Sequence, residues 1–231
     1  MKIEGVFEPQ VRIQLNEYYE KKGVVLGPYT SHIWRDDPKH LLFLLARYKF
    51  CSKLLAGKNT VLEVGCGDSF GTGIVLQTVK KVHGIDIEPL IIKDNIERTE
   101  YGARCSYEVL DITLHSPGIR FDGAFALDVI EHIPNSSEDQ FMANIANSLV
   151  SDAVCIIGTP NITASQYASS GSAASHINLK NADSLKQLMS PYFENVLIFS
   201  MNDEVVHTGF YPMAHYLLSV GTNLKTPRKE K

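Results

Sequence analysis

Short apolar strands and amphipathic helices alternate along the chain from residue 60 onward. Seven segments have the length and apolar content of strands, at residues 60–65, 81–86, 106–112, 121–130, 153–159, 195–202 and 214–221. Helices between successive strands require a mostly parallel sheet that is covered on both faces. The loop before the last strand is too short for a helical crossover, so the last two strands should pair antiparallel. The chain is therefore predicted to be α/β, with a doubly wound, mostly parallel seven-stranded sheet and a C-terminal antiparallel hairpin.

Helical spacing of apolar residues also precedes the sheet, at residues 9–22 and 38–57, and the segment 27–37 between them is predicted to be a loop. Further helices are predicted from the first strand to about Lys81 and at 89–100, 136–150 (capped by Ser136 or Ser137) and 181–192 (capped by Asn181). The Ser/Ala-rich stretch 163–175 is predicted to be mobile. We divide the chain into an N-terminal helical cover that is also a possible lid (1–57), a sheet domain (58–223) and a basic tail (224–231).

Composition excludes several function classes. The chain has 231 residues and a net charge of −4, which argues against a partner such as nucleic acid. Its four cysteines lie far apart and lack the spacing of a zinc site or a disulfide framework, which favours a reducing compartment. No apolar run has the length of a signal core or a membrane span. We therefore expect a cytoplasmic protein with no membrane partner, while a homodimer stays open.

The most informative loop is VLEVGCGDSFGTG (61–73), which follows the first predicted strand. In an open parallel sheet, ligands bind beyond the carboxyl ends of the strands, where this loop lies. Its glycines are spaced G-x-G-x-x-x-G, one residue longer than a dinucleotide loop, and alone they also fit a plain turn. Asp86 ends the second predicted strand, where a carboxylate can hold the two hydroxyls of an adenosine ribose, although a helix cap is the alternative. Together with Asp111 at the end of the third strand, these residues predict an adenosine-type site.

The motifs EVGCG, GIDIEP, EVLDIT and ALDVIEHIP, in this order and at these spacings, resemble those of class I S-adenosylmethionine-dependent methyltransferases. DVIEHIP and the later SHINLKNADSLKQLMSPYFENV are similar to the small-molecule branch that includes the ubiquinone-biosynthesis O-methyltransferases. The resemblance implies a Rossmann-like fold, a cofactor-binding methyltransferase domain at 58–223, S-adenosylmethionine as cofactor and S-adenosylhomocysteine as product.

The resemblance also implies roles for individual residues. It implies that Glu63 organises the loop at the methionine end of the cofactor, that Asp86 takes the ribose and that Asp128 faces the methionine moiety. The remaining implied cofactor contacts are Gly65, Cys66, Gly67, Ile87, Asp111 and Ile112. One departure is Ser69, which stands where many relatives carry a third glycine.

Two alternatives remain open at the level of sequence. A nicotinamide-dependent oxidoreductase would also use a glycine-rich loop, but Glu63 before the loop and Asp68 within it oppose a pyrophosphate. A sulfonium cofactor with an ammonium group accepts such charges. The second alternative, a catalytically silent protein that binds S-adenosylmethionine or S-adenosylhomocysteine, has the same loop.

Methyl transfer from a sulfonium is an in-line displacement, and a hydroxyl acceptor also needs a base. His176 and His132 follow predicted strand ends and are the candidate catalytic residues, although His132 also fits an ordinary helix start. Glu131 beside His132 could ligate a divalent cation, but two residues do not make a site, so no metal is predicted.

The acceptor is expected to be a small molecule with a hydroxyl or an amine. The chain lacks the Asn/Asp-Pro-Pro-aromatic run of base-nitrogen methyltransferases and a Pro-Cys nucleophile, and no accessory basic domain is present. Four residues are candidates for a lid or for substrate contact, namely Tyr29, Trp34, Arg35 and Tyr167. Trp34 equally fits a packing anchor between the two leading helices.

Overall fold

The computed structural model describes residues 7–225, which contain one sheet of eight strands in the order β3-β2-β1-β4-β5-β8-β6-β7. The strands are β1 (Thr60–Val64), β2 (Lys81–Asp86), β3 (Cys105–Val109), β4 (Phe121–Leu127), β5 (Leu149–Pro160), β6 (Phe193–Asn202), β7 (Val205–His207) and β8 (Tyr216–Leu224). Strands β1 to β5 pair parallel, and β8 inserts antiparallel between β5 and β6. The predicted α/β architecture with its C-terminal antiparallel strands is confirmed.

The predicted strand count was one too low. The short edge strand β7 pairs antiparallel with β6, with Asn202 opposite Val205. The connecting turn passes through Asp203, which has a φ of 49°. Asp is among the few residues that adopt this left-handed conformation readily, so a tight hairpin forms where a loop was expected.

The described part of the chain contains eight α-helices: α1 (Pro9–Lys21), α2 (Pro28–Asp36), α3 (His40–Leu54), α4 (Thr72–Val75), α5 (Pro89–Arg98), α6 (Glu138–Asn147), α7 (Ser170–Ser175) and α8 (Ala182–Met189). Asn181 caps α8 as predicted, and its side chain accepts from the Ser184 amide at 2.8 Å. Ser137 precedes α6 but makes no side-chain capping hydrogen bond, contrary to the prediction.

Three predicted segments differ in the structure. The expected loop at 27–37 is helix α2, because a distant carboxylate caps its first turn, as described below. Helix α4 ends at Val75 instead of near Lys81, because the following backbone bonds to the segment before β1, with the Gly57 amide donating to the Thr78 carbonyl at 2.9 Å. The stretch at 163–175, for which no element was predicted, forms a 3-10 helix (Ile162–Tyr167) and α7, and its mobility stays a prediction.

Two apolar clusters pack on the two faces of the sheet. One contains the side chains of β1, β4 and β5 that face α6 and α8, with Phe141, Ile145 and Leu185 fully buried. The other contains the opposite face together with α3 and α4, with Cys51 and Leu55 fully buried. Burial on both faces explains why the strands of the parallel part read as nearly continuous apolar runs.

The division at residues 57 and 223 stays a prediction. Of the predicted basic tail, Leu224 closes β8, and residues 226–231 lie outside the described part of the chain. Between residues 7 and 225, no helix is both long enough and apolar enough to cross a membrane.

Candidate functional site

The glycine loop after β1 has a backbone that only small residues can adopt. Gly65 and Gly67 have φ values of 67° and 48°. A Cβ on Gly65 would lie 2.4 Å from Cγ2 of Val129, so this glycine also allows a close packing contact. The loop therefore needs glycine at both predicted positions.

The amides of the loop are already used inside the protein. Those of Gly65 and Cys66 both donate to the carbonyl of Ile85, at 2.8 and 3.0 Å, and that of Gly67 donates to Asp86 Oδ2 at 3.0 Å. These three amides are therefore not free to donate to a ligand. The reason is that the loop folds back onto the end of β2, where its amides bond to Ile85 and Asp86. A ligand there would contact the loop by its shape and not by hydrogen bonds from these amides.

Asp86 is held firmly at the end of β2. Its two carboxylate oxygens accept from the amides of Gly67 and Glu88, both at 3.0 Å, and the residue is partly exposed. Each carboxylate oxygen has a second lone pair, so the group can still accept from ribose hydroxyls. Ile87, the next predicted contact, is exposed beside it.

Glu63 is buried under the loop and organises it. Its Oε1 accepts from the hydroxyl of Tyr48 at 2.9 Å, and its Oε2 accepts from that of Thr72 at 2.7 Å. Burial raises the pKa of Glu63 from its ordinary value of 4.5 to about 7, although both hydroxyls oppose the shift. The carboxylate thus joins α3 to the start of α4, and the role at the cofactor that the resemblance implies for it stays a prediction.

The other implied contacts are less accessible. Cys66 is buried, and burial raises the pKa of its thiol. Asp111 lies beyond the end of β3 rather than in it, and its Oδ1 accepts from both the amide and the hydroxyl of Thr113. The side chain of Ile112 is buried in the apolar core, so any contact of this residue with a ligand would be through its backbone.

Asp128 follows β4 with a φ of 58°, at the carboxyl edge of the sheet. Its carboxylate is paired with the buried Arg47 of α3, with an N···O distance of 2.6 Å. The guanidinium also stacks on Tyr216, with 3.8 Å from Cζ to the ring centroid. Because Arg47 already neutralises Asp128, the carboxylate is not a free counter-charge for a cofactor ammonium group.

Next to Asp128, the structure brings three polar side chains together. Ligand atoms of Glu131, His132 and His176 all lie within 4.8 Å of one another. The rings of the two histidines meet edge to face, with centroids 5.1 Å apart. His132 Nδ1 lies 3.0 Å from the carbonyl oxygen of Ser175, which assigns the proton to Nδ1 and the lone pair to Nε2. Both predicted catalytic residues therefore occupy one site.

Glu131 is the buried member of this cluster. Its Oε2 accepts from the Thr159 hydroxyl at 3.0 Å, whereas Oε1 is buried without a hydrogen-bond partner. Burial, followed by the nearby charge of Asp128, raises the pKa of Glu131 to about 8. Burial and the neighbouring His132 lower the pKa of His176, so its imidazole is neutral at pH 7. The neutral imidazole of His176 can accept a proton, and imidazoles together with a carboxylate can ligate a divalent cation.

Of the four predicted lid residues, only Tyr29 lies beside the glycine loop. A Cβ on Gly67 would lie 3.2 Å from its ring, and burial and Asp86 raise its pKa. Trp34 and Arg35 are exposed in the last turn of α2. Tyr167 is exposed as well, with its ring centroid 6.5 Å from that of His215.

Sequence reasoning missed several polar residues that build the site. Asn95 is fully buried and its amide donates to the Gly67 carbonyl at 2.6 Å, while Arg98 donates to the Asp68 carbonyl at 2.7 Å. Arg47 and Asn95 each interrupt the apolar face of a helix, and that interruption is the signal that could have identified them.

Comparison with family models gives a match over part of the chain. Residues 61–152 match a family model described as a methyltransferase domain. A sequence search of curated proteins finds no significant match.

Solved structures share the fold at low sequence identity. The N-methyltransferase NodS from Bradyrhizobium japonicum WM9, in complex with S-adenosylhomocysteine, is 17% identical, with a TM-score of 0.58 over 82% of this chain and 91% of that one. A TehB-like S-adenosylmethionine-dependent methyltransferase from Corynebacterium glutamicum is 17% identical, with a TM-score of 0.58 over 85% and 100%. The methyltransferase domain of bacterial CtHen1-C is 15% identical, with a TM-score of 0.65 over 78% and 98%.

These likenesses establish the fold and do not separate the ubiquinone-biosynthesis branch from the others. The family match covers the glycine loop, Asp86, Asp128 and the Glu131–His132 pair. Residues 61–152 therefore match a methyltransferase domain, and the chain shares the Rossmann-like fold of methyltransferases of known structure.

Proposed function

We propose that the protein transfers the methyl group of S-adenosylmethionine to a hydroxyl or amine of a small molecule, and that the acceptor is activated by His132 and His176. The observation that carries this proposal is the cluster in which these two histidines meet beside the buried Glu131. The cluster lies just beyond the end of β4, at the edge of the sheet that also holds the glycine loop. Acceptor and cofactor can therefore meet there.

The chain supplies what an in-line displacement needs. The rigid loop, with Asp86 and Glu63 fixed by hydrogen bonds, orients the cofactor, and alignment is the largest contribution that a protein makes to this reaction. A hydroxyl acceptor must also lose its proton. His176 is neutral at pH 7 because its pKa is lowered, so it can take that proton.

A divalent cation is the second way in which this cluster can activate a hydroxyl. The sequence offered only Glu131 and His132, and the structure adds His176 as a third ligand. The backbone bond at His132 Nδ1 fixes the ring as it is fixed in many metal sites. A bound cation would lower the pKa of the acceptor hydroxyl directly.

A small acceptor is supported by composition and by the structural neighbours. The net charge of −4 opposes binding to a phosphate backbone. NodS is described as an N-methyltransferase, and BpumL, which is 13% identical over 92% of this chain with a TM-score of 0.61, as a plantazolicin methyltransferase. We further propose a cytoplasmic location, which the four free cysteines support.

The test begins with calorimetric titration of the protein with S-adenosylhomocysteine and, separately, with NADH. Binding of S-adenosylhomocysteine alone is expected, and binding of NADH alone would return the proposal to an oxidoreductase. A metabolite panel is then assayed for methyl transfer, with EDTA and with Mg²⁺ or Mn²⁺ added back. Activity that resists EDTA supports His176 as the base, and activity restored by a cation supports metal activation. Cofactor binding without transfer to any acceptor would indicate a silent binding protein.

A further inference from the structure

Helix α2 is attached to the glycine loop by one buried carboxylate, that of Asp68. Asp68 Oδ2 accepts from the amide of Thr30 at 2.7 Å, and Oδ1 accepts from the Thr30 hydroxyl at 3.0 Å. Both residues are at most 5% exposed. No side chain of α2 or of its N-cap Gly27 caps the helix, so Asp68 satisfies a first-turn amide from 38 residues away in sequence.

The contact is also sterically close and well supported on the loop side. A Cβ on Gly27 would lie 2.4 Å from Cβ of Asp68, so glycine is required where the chain enters α2. Arg98 holds the carbonyl of Asp68 at 2.7 Å, which fixes the loop residue from the opposite side.

The rest of α2 is weakly attached. Thr30 is its one buried residue, and Tyr29, Trp34 and Arg35 are exposed. Residues 22–25, which connect α1 to α2, are exposed and without regular structure. Helix α2 can therefore move as a unit when the contact between Asp68 and Thr30 breaks, because little other buried surface is lost.

The same contact places Tyr29 at the cofactor. Tyr29 precedes Thr30, and its ring lies against Gly67, near the carboxylate of Asp86. We propose that Asp68 is a positioning residue that holds α2 as a flap over the ribose end of the cofactor, and that the cofactor exchanges when the Asp68–Thr30 contact opens. This inference rests on the proposed function, since it takes the ligand of the loop to be S-adenosylmethionine.

The experiment uses Trp34, the single tryptophan of the chain, which lies on α2 and reports on its environment by fluorescence. The dissociation rate of S-adenosylhomocysteine is measured by stopped flow on the full chain. Asp68→Ala removes both hydrogen bonds to a charged acceptor, and dissociation is expected to become about 10- to 100-fold faster. Thr30→Val removes only the hydroxyl bond and is expected to give an increase of about 3- to 10-fold.

Two controls show whether Asp68 acts by positioning α2 or by stabilising the protein in general. One is a conservative variant of Asp68, and the other is a carboxylate elsewhere in the fold. Asp68→Asn can accept from the Thr30 amide and donate to its hydroxyl, so its dissociation rate should return to within about threefold of the wild type. Asp122 is a second carboxylate with two donors, the amides of Asn59 and Thr60, but it lies at the opposite end of β1. Asp122→Ala is expected to lower the unfolding midpoint without changing the dissociation rate.

The outcomes distinguish the flap from the function on which it rests. If the wild type binds S-adenosylhomocysteine and folded Asp68→Ala releases it at the same rate, the flap is overturned and the methyltransferase proposal stands. Acceleration by Asp68→Ala but not by Thr30→Val would place the effect in the loop alone and would also overturn the flap. If the wild type does not bind S-adenosylhomocysteine, both proposals fail.

Discussion

The two ends of the site differ in how completely their polar groups are hydrogen-bonded. The cofactor end is the glycine loop with Glu63 and Asp86, and the proposed acceptor end is the cluster of Glu131, His132 and His176. At the cofactor end, the amides of Gly65, Cys66 and Gly67 and both oxygens of Glu63 and Asp86 have partners within the protein. At the proposed acceptor end, Glu131 Oε1 is buried without a hydrogen-bond partner, and so is Arg47 Nε beside the neighbouring Asp128.

This difference indicates that the structure of the two ends depends to a different degree on a bound ligand. A loop whose groups, apart from the Ser69 hydroxyl, are satisfied internally keeps its shape before the cofactor binds. Unpaired buried polar atoms destabilise a protein by about 1–3 kcal/mol each, and in native structures they are found where a ligand, ion or water completes the site. We therefore expect the glycine loop to keep its shape without ligand, and the Glu131–His132–His176 cluster to depend more on what it binds.

The largest expected effect is at the acceptor end. His176→Ala should lower the turnover number by about 100-fold or more, since general bases contribute about 10²–10⁴ to rate, and should leave the affinity for S-adenosylhomocysteine within about twofold. His215→Ala, in the loop before β8, is the matched control and should retain turnover. Full turnover of His176→Ala, with the cofactor bound normally, would remove this residue from the mechanism.

At the cofactor end, the buried Glu63 makes stability depend on pH. Because its pKa is raised in the folded state, its contribution to stability is fully present below about pH 4.5 and is lost as the pH rises through about 7. The shift corresponds to about 3 kcal/mol in the free energy of unfolding. Glu63→Gln does not titrate, so it should be increasingly stable relative to the wild type between pH 5 and pH 8 in urea unfolding. Parallel pH profiles of the two proteins would contradict the burial of an ionisable carboxyl at this position.

The conformation of the glycine loop was easier to predict from the sequence than the arrangement of the histidine cluster, for a physical reason. The glycines and the acidic residue at the end of β2 act through backbone geometry within about 25 residues, and a local pattern records such constraints. The cluster at the acceptor end consists of Glu131 and His132, in the 3-10 helix after β4, and of His176. The position of His176 beside the other two depends on how α7 folds back.

The helices show the same limit. Helix α2 could not be predicted because its capping carboxylate, Asp68, belongs to another segment. The buried pair Arg47–Asp128 likewise spans 81 residues. By contrast, the capping box of α8 is local, and Asn181 was identified correctly. Contacts that link distant segments leave no periodic pattern, so they require the structure.

A smaller effect is expected at Asp86. Asp86→Ala removes the charged acceptor from the ribose hydroxyls, and S-adenosylhomocysteine should bind about 10- to 100-fold more weakly in calorimetric titration. Part of this loss reflects the freed amides of Gly67 and Glu88. Asp86→Asn separates the two contributions because an amide oxygen still accepts from one of them. Unchanged affinity in both variants would show that the ribose lies elsewhere.

The smallest effect is expected at Ser69, where a substitution tests whether the backbone of the glycine loop is strained. Ser69, which replaces a glycine of many relatives, has a φ of 56°, and its hydroxyl is buried without a partner. A left-handed conformation costs a residue with a Cβ about 1–2 kcal/mol, and the greater chain entropy of unfolded glycine offsets part of that. Ser69→Gly should therefore raise the free energy of unfolding by up to about 1 kcal/mol in urea titrations. Ser69→Ala removes the unpaired hydroxyl but keeps the Cβ, so a gain in the glycine variant alone assigns the strain to the backbone. Equal stability of all three proteins would mean that the loop carries no strain at this position, and the cofactor end would then be relaxed throughout.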